Sequence, residues 1–84
     1  MQTLTLNDGT LLENSDAIET DVGLFLYISA GLTLLEVATL LSDPEKTKKI
    51  VYTSGTDKTT FRSYKKLTSV RDEGTGRISA TLRK

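Results

Sequence analysis

Leu32-Thr33-Leu34-Leu35-Glu36-Val37-Ala38-Thr39-Leu40-Leu41-Ser42-Asp43-Pro44 is the stretch of this chain that reads most firmly as a helix, and its place between two groups of strands decides the fold. Thr33 and Glu36 make a T-x-x-E capping box, in which the hydroxyl accepts from one free N–H and the carboxylate from another. Leu32 before the cap and Val37 after it fit a hydrophobic staple. Leu34, Val37, Ala38 and Leu41 recur at helical spacing, and Leu35 and Leu40 widen the apolar stripe. Asp43 ends the helix because the residue before a proline resists the helical region. With Pro44 and Glu45 it also reads as the cap of a further short turn.

On the N-terminal side, Leu4 and Leu6 alternate with Thr3 and Thr5 as in a half-buried strand. Asn7-Asp8-Gly9 supplies residues that accept positive φ, so Thr10 to Glu13 is predicted to return as a hairpin. Asn14 to Asp21 is polar apart from Ala17 and Ile18 and is expected to be a turn with at most a short strand. Leu24-Phe25-Leu26-Tyr27-Ile28 is apolar on both alternating faces, which predicts a central strand covered on two sides. One helix covers one side; a partner subunit or a curled sheet is needed for the other.

On the C-terminal side, Ile50-Val51-Tyr52 reads as a strand and Ser54 to Asp57 as a turn. Thr59 to Arg71 favours strand, but its apolar phase slips: Phe61 and Leu67 share one parity, Tyr64 and Val70 the other. A bulge or bend near Ser63 to Lys66 reconciles them. Asp72 to Gly76 makes a hairpin loop, and Ile78, Ala80 and Leu82 then alternate with polar residues. Fourteen threonines add a general bias toward strand. The expected fold is α+β: a mostly antiparallel sheet with one main helix packed across it, in βββ-α-βββ order.

Eighty-four residues allow one core, so residues 1–84 are read as a single domain. The sequence has no cysteine, hence neither a disulfide nor a thiolate metal site. It has no histidine, which removes the commonest general base and metal ligand. An enzyme would have to work with carboxylates, Lys or Tyr alone, so the expectation is a non-enzymatic protein without cofactor. No apolar run reaches the roughly 18 residues that span a bilayer, and Thr, Asn, Asp and Gly interrupt the N-terminus too early for a signal peptide. The expected location is the cytoplasm of the producing cell.

Charge is divided sharply along the chain. Residues 1–45 carry eight carboxylates and no Lys or Arg, whereas residues 46–84 carry all eleven cations and three carboxylates. The formal net charge of zero therefore hides halves of −8 and +8 (eleven minus three). Two readings stand open. Acidic and basic residues pair across the sheet, or they segregate onto opposite faces and join one copy to the next. Glu13, Asp16, Glu19 and Asp21 lack the ligand spacing and turn glycine of a calcium loop and read as a solvated acidic segment. Arg62, Tyr64, Lys65, Lys66 and Arg71 combine aromatics and cations as single-strand binders do, although Lys65 and Lys66 equally suit protection of a strand edge. These nine residues are the candidate contact surface. Gly74-Thr75-Gly76 lacks the Lys-Ser/Thr and helix of a phosphate loop. Tyr27, Tyr52 and Tyr64 are read chiefly as the border of a thin core.

Leu4-Thr5-Leu6-Asn7-Asp8-Gly9-Thr10, Leu32-Thr33-Leu34-Leu35-Glu36-Val37, Leu41-Ser42-Asp43-Pro44-Glu45-Lys46-Thr47 and Tyr64-Lys65-Lys66-Leu67-Thr68-Ser69-Val70 together resemble a group of small uncharacterised proteins encoded in prophages of Gram-positive gut bacteria. The resemblance implies origin in a phage structural gene region and association with the virion. It supplies no catalytic residues. The expected function is that of a phage-derived structural or accessory protein acting through protein partners or self-assembly. The alternative is a small nucleic-acid-binding factor using the basic C-terminal strands.

Overall fold

Asn14 and Ser63 each hold a left-handed backbone, with φ of 51° and 69°, and each bends a run of strand out of one sheet and into another. The computed structural model describes residues 2–84. In chain order its elements are β1 (Gln2–Thr5), β2 (Leu11–Glu13), β3 (Ser15–Glu19), β4 (Leu24–Ile28), α1 (Leu34–Leu41), α2 (Pro44–Thr47), β5 (Lys49–Ser54), β6 (Asp57–Arg62), β7 (Lys66–Asp72) and β8 (Ile78–Arg83). The strands form two four-stranded sheets, in the orders β2-β1-β5-β6 and β3-β4-β8-β7. Every pairing is antiparallel.

The edges of the two sheets are joined in sequence. Only Asn14 separates β2 from β3, and only Ser63, Tyr64 and Lys65 separate β6 from β7. Following the ladders from β1 through β2/β3, β4, β8, β7/β6 and β5 leads back to β1, so the pairings close into a ring around one interior. Such closure protects edges that would otherwise template association.

That circuit corrects the expected single sheet with one main helix across it. The α+β class and the antiparallel pairing stand, but the chain builds two sheets and only a small helix. Asn14 to Asp21 is not mainly a turn, because Ser15 to Glu19 pair fully with β4. The phase slip in Thr59 to Arg71 comes from both remedies at once: the corner at Ser63 and a register shift between Leu67 and Ser69.

The interior is filled from all sides. Leu4, Leu12, Ile50 and Phe61 come from the first sheet, and Leu24, Leu26, Ile28, Ile78, Ala80 and Leu82 from the second, with Val37 and Leu41 from α1. The doubly apolar strand β4 is thereby explained. Leu24, Leu26 and Ile28 point inward, while Phe25 and Tyr27 lie half-buried on the outer face. Opposite Leu26 stand Ala17 and Ala80, small neighbours that leave room for its side chain at the centre.

Helix α1 has the capping box read from the sequence: Glu36 N donates to the Thr33 hydroxyl at 3.1 Å, and Thr33 N donates to the Glu36 carboxylate at 3.0 Å. Its buried stripe is narrower than expected. Leu34 and Leu35 are exposed, Leu35 by 76%, because eight residues lying over part of the ring bury only one narrow face. Asp43 caps α2 through Glu45 N at 3.0 Å.

Candidate contact surface

The ladders of the second sheet fix which side chains stand together on its outer face. One row reads Asp16, Tyr27, Ser79, Arg71 across β3, β4, β8 and β7. The next reads Ile18, Phe25, Thr81, Ser69. Beyond it, Arg83 faces Lys66 across β8 and β7. The face therefore grades from acidic on β3, through bulky apolar groups on β3 and β4, to small hydroxyls and then cations on β7. Ile18 is 49% exposed. Depressions lie on both sides of it, one of about 370 Å³ lined by Asp16, Ile18, Tyr27, Glu73 and Arg77 and one of about 290 Å³ lined in part by Phe25, Tyr27, Ser69, Arg71 and Thr81. Arg77 swings from the hairpin over Tyr27, its guanidinium carbon 4.6 Å from the ring centre, a favourable cation–π arrangement. Glu73 accepts from the Ser79 hydroxyl at 2.8 Å beside it.

No registered pair in either sheet sets an acid against a base among the described residues. Cross-strand neutralisation, one of the two readings of the charge split, is thus not how directly opposed residues meet. Like charges meet instead: Lys49 stands opposite Arg62, and Lys66 opposite Arg83. Lys65 lies in the corner between them. The Lys48 carbonyl accepts from Ser63 N at 3.2 Å, and the Lys84 ammonium sits 5.3 Å from the Tyr64 ring centre. Seven of the eleven cations (Lys48, Lys49, Arg62, Lys65, Lys66, Arg83 and Lys84) thereby collect around the β6/β7 corner.

The nine residues singled out from the sequence divide accordingly. Glu13 and Asp16 flank the Asn14 corner, at the opposite edge of the sheets from Arg62, Lys65 and Lys66. Arg71 lies on the outer face of β7. Glu19 and Asp21 line an open groove of about 500 Å³ together with Tyr64, Arg83 and Lys84. Tyr64 is the exception to the surface expectation, being buried. The positive φ at Ser63 turns it inward, where its ring meets Phe61 edge-on at 6.5 Å between centres. Its hydroxyl donates to the Glu19 carboxylate. That bond and burial push the Tyr64 hydroxyl up to about 12 from its ordinary value of 10.0. The acidic half meets the basic half at several such points: Glu19 at the Tyr64 hydroxyl, Asp16 at the Tyr52 hydroxyl and Asp8 beside Lys46.

Ile18, Phe25 and the pair Arg83 and Lys84 were absent from the sequence-derived set. The alternation of Leu24 to Ile28 carried a signal for Phe25, since one parity of a doubly apolar strand must face outward in a closed ring. Nothing in the sequence marked Arg83, whose importance arises from register alone. No group of three or more Asp, Glu, His or Cys is placed to hold a metal ion among the described residues, and none of their helices is long and apolar enough to cross a membrane. In comparison with known proteins, the chain matches no family model, no curated protein and no solved structure.

Proposed function

We propose that this chain is a non-enzymatic, phage-derived structural or accessory protein that works through protein–protein contact. The observation that carries the reading is the outer face of the second sheet, where exposed Ile18 and half-buried Phe25 lie between an acidic edge and a basic edge. Apolar groups flanked by separated charges are what a specific protein contact uses: the centre supplies desolvation and the rim sets orientation. The resemblance to prophage-encoded proteins supports assembly as the setting. The test is gradient fractionation of a phage-induced lysate, followed with an antibody against the chain. Sedimentation with particles or their precursors is expected. Recovery only in the low-molecular-weight fraction would overturn the reading.

A second reading has its own observation. Like charges placed directly opposite across a ladder are destabilising by roughly 0.2 to 1 kcal/mol per pair, and this chain has two such pairs in the corner holding seven cations. A phosphate backbone would relieve that repulsion and release counterions. A mobility-shift assay at low salt against single- and double-stranded DNA and RNA decides it, since absence of any retention ends the nucleic-acid role.

A further inference from the structure

We infer that the outer face of the second sheet is a homodimer interface, in which a second copy of this chain packs on the first about a two-fold axis running parallel to β4 and β8. The inference rests on the protein-contact reading and names the partner. A two-fold contact is self-complementary: each position on the face meets its mirror position across the axis. An axis between β4 and β8 brings the β3 column of one copy onto the β7 column of the other. Asp16 then meets Arg71 of the second copy. Ile18 meets the second copy's Ser69, next to the hollow that Ser69, Thr81, Phe25 and Arg71 line. Phe25 meets Thr81 and Tyr27 meets Ser79, so a bulky column faces a small one in each row. Under this one operation the Asp16 and Arg71 charges match, and the large Phe25 and Tyr27 side chains meet small hydroxyls. An axis perpendicular to the strands instead sets β3 on β3 and β7 on β7, opposing like charges.

Arg77 covers much of Tyr27, which leaves Ile18 and Phe25 as the apolar centre. The face spans four strands about 4.8 Å apart and some five residues at about 3.3 Å each, roughly 19 by 17 Å. That is roughly 320 Å² per copy and about 650 Å² for the pair, below the roughly 1,000 Å² of a stable specific interface and in the size range of weak, transient contacts. A transient dimer is therefore expected, with dissociation on the order of hundreds of micromolar and weakened by salt.

The experiment is sedimentation equilibrium on the full chain from low-micromolar to near-millimolar protein, at low and high salt. A monomer–dimer equilibrium that shifts toward monomer with salt is expected. Ile18→Ser is expected to weaken it at least about tenfold, and Arg71→Asp likewise. Combining Asp16→Arg with Arg71→Asp restores the charge match and is expected to recover most of that loss. Circular dichroism checks that each variant keeps its fold, and concentration-dependent amide shifts of the unaltered chain, expected on Ile18, Phe25, Ser69 and Thr81, give a second measurement without substitution. A monomer at every concentration overturns the inference, as does association indifferent to Ile18→Ser, or amide shifts on another surface. If the chain is monomeric yet sediments with particles, the dimer fails and the protein-contact reading survives. If it dimerises but never leaves the low-molecular-weight fraction, the reverse holds.

Discussion

At the scale of single residues, two positions show how tightly the ring constrains the chain. A Cβ built on Gly23 would lie 2.4 Å from the Leu82 carbonyl oxygen. That oxygen belongs to backbone on the neighbouring strand and cannot step aside as a flexible side chain would. Gly23→Ala is expected to lower unfolding free energy by about 1 to 3 kcal/mol, read as a lower urea midpoint with unchanged slope. The second position is Tyr64, whose hydroxyl serves the Glu19 carboxylate. Tyr64→Phe removes a hydrogen bond to a charged group and leaves an exposed carboxylate that water can serve, so a loss near about 1 kcal/mol is expected at neutral pH. The pH dependence has a definite sign. Because folding raises the hydroxyl from 10.0 to about 12, its contribution is complete below pH 10 and is lost as pH rises through about 12. Urea midpoints of the unaltered chain and of Tyr64→Phe should thus converge over that interval. A constant difference would show that Tyr64 does not titrate as its surroundings require.

At the scale of elements, local chemistry was legible and long-range partnership was not. The capping box at Thr33 and Glu36, the proline stop and the alternation of Ile78, Ala80 and Leu82 are written in adjacent residues, and each appears where the spacing predicts it. β3 was hidden because Asp16, Ala17 and Glu19 disfavour strand by composition, whereas pairing with the apolar β4 imposes it. The contact surface was legible only in its parts: which cations gather depends on the register that sets Lys66 beside Arg83 and Lys49 beside Arg62. The two corners mark the limit most clearly. Asn14 is a residue that tolerates positive φ, but Ser63 is not among those that favour it. A left-handed conformation costs an ordinary L-residue about 1 to 2 kcal/mol, while glycine costs roughly 0.5 to 1 kcal/mol in entropy elsewhere. Ser63→Gly is therefore expected to raise stability by up to about 1 kcal/mol. Asn14→Gly should gain less. Equal or opposite shifts in the two urea midpoints would show that the corner is not strained at Ser63.

At the scale of the whole molecule, the closed circuit of ladders makes the two sheets one cooperative unit. Leu4 sits in the first sheet and Leu26 in the second, and both are fully buried in the same cluster. Neither sheet has a core of its own, since each supplies only one wall. Leu4→Ala and Leu26→Ala should each cost about 2 to 5 kcal/mol through lost burial and the cavity left behind. More telling is where the loss appears. In a molecule of two independently stable layers, hydrogen exchange would accelerate only in the altered sheet. Here Leu26→Ala is expected to reduce protection of slowly exchanging amides in β1 and β5 as much as in β4 and β8, and Leu4→Ala to do the same in reverse. Unequal losses would show that the corners at Asn14 and Ser63 act as hinges between separate layers. Equal losses carry a consequence for the outer face. A ring that unfolds only as a whole presents Asp16, Ile18, Phe25 and Arg71 on a rigid platform, so a second copy meeting it need not first order the strands that hold those side chains.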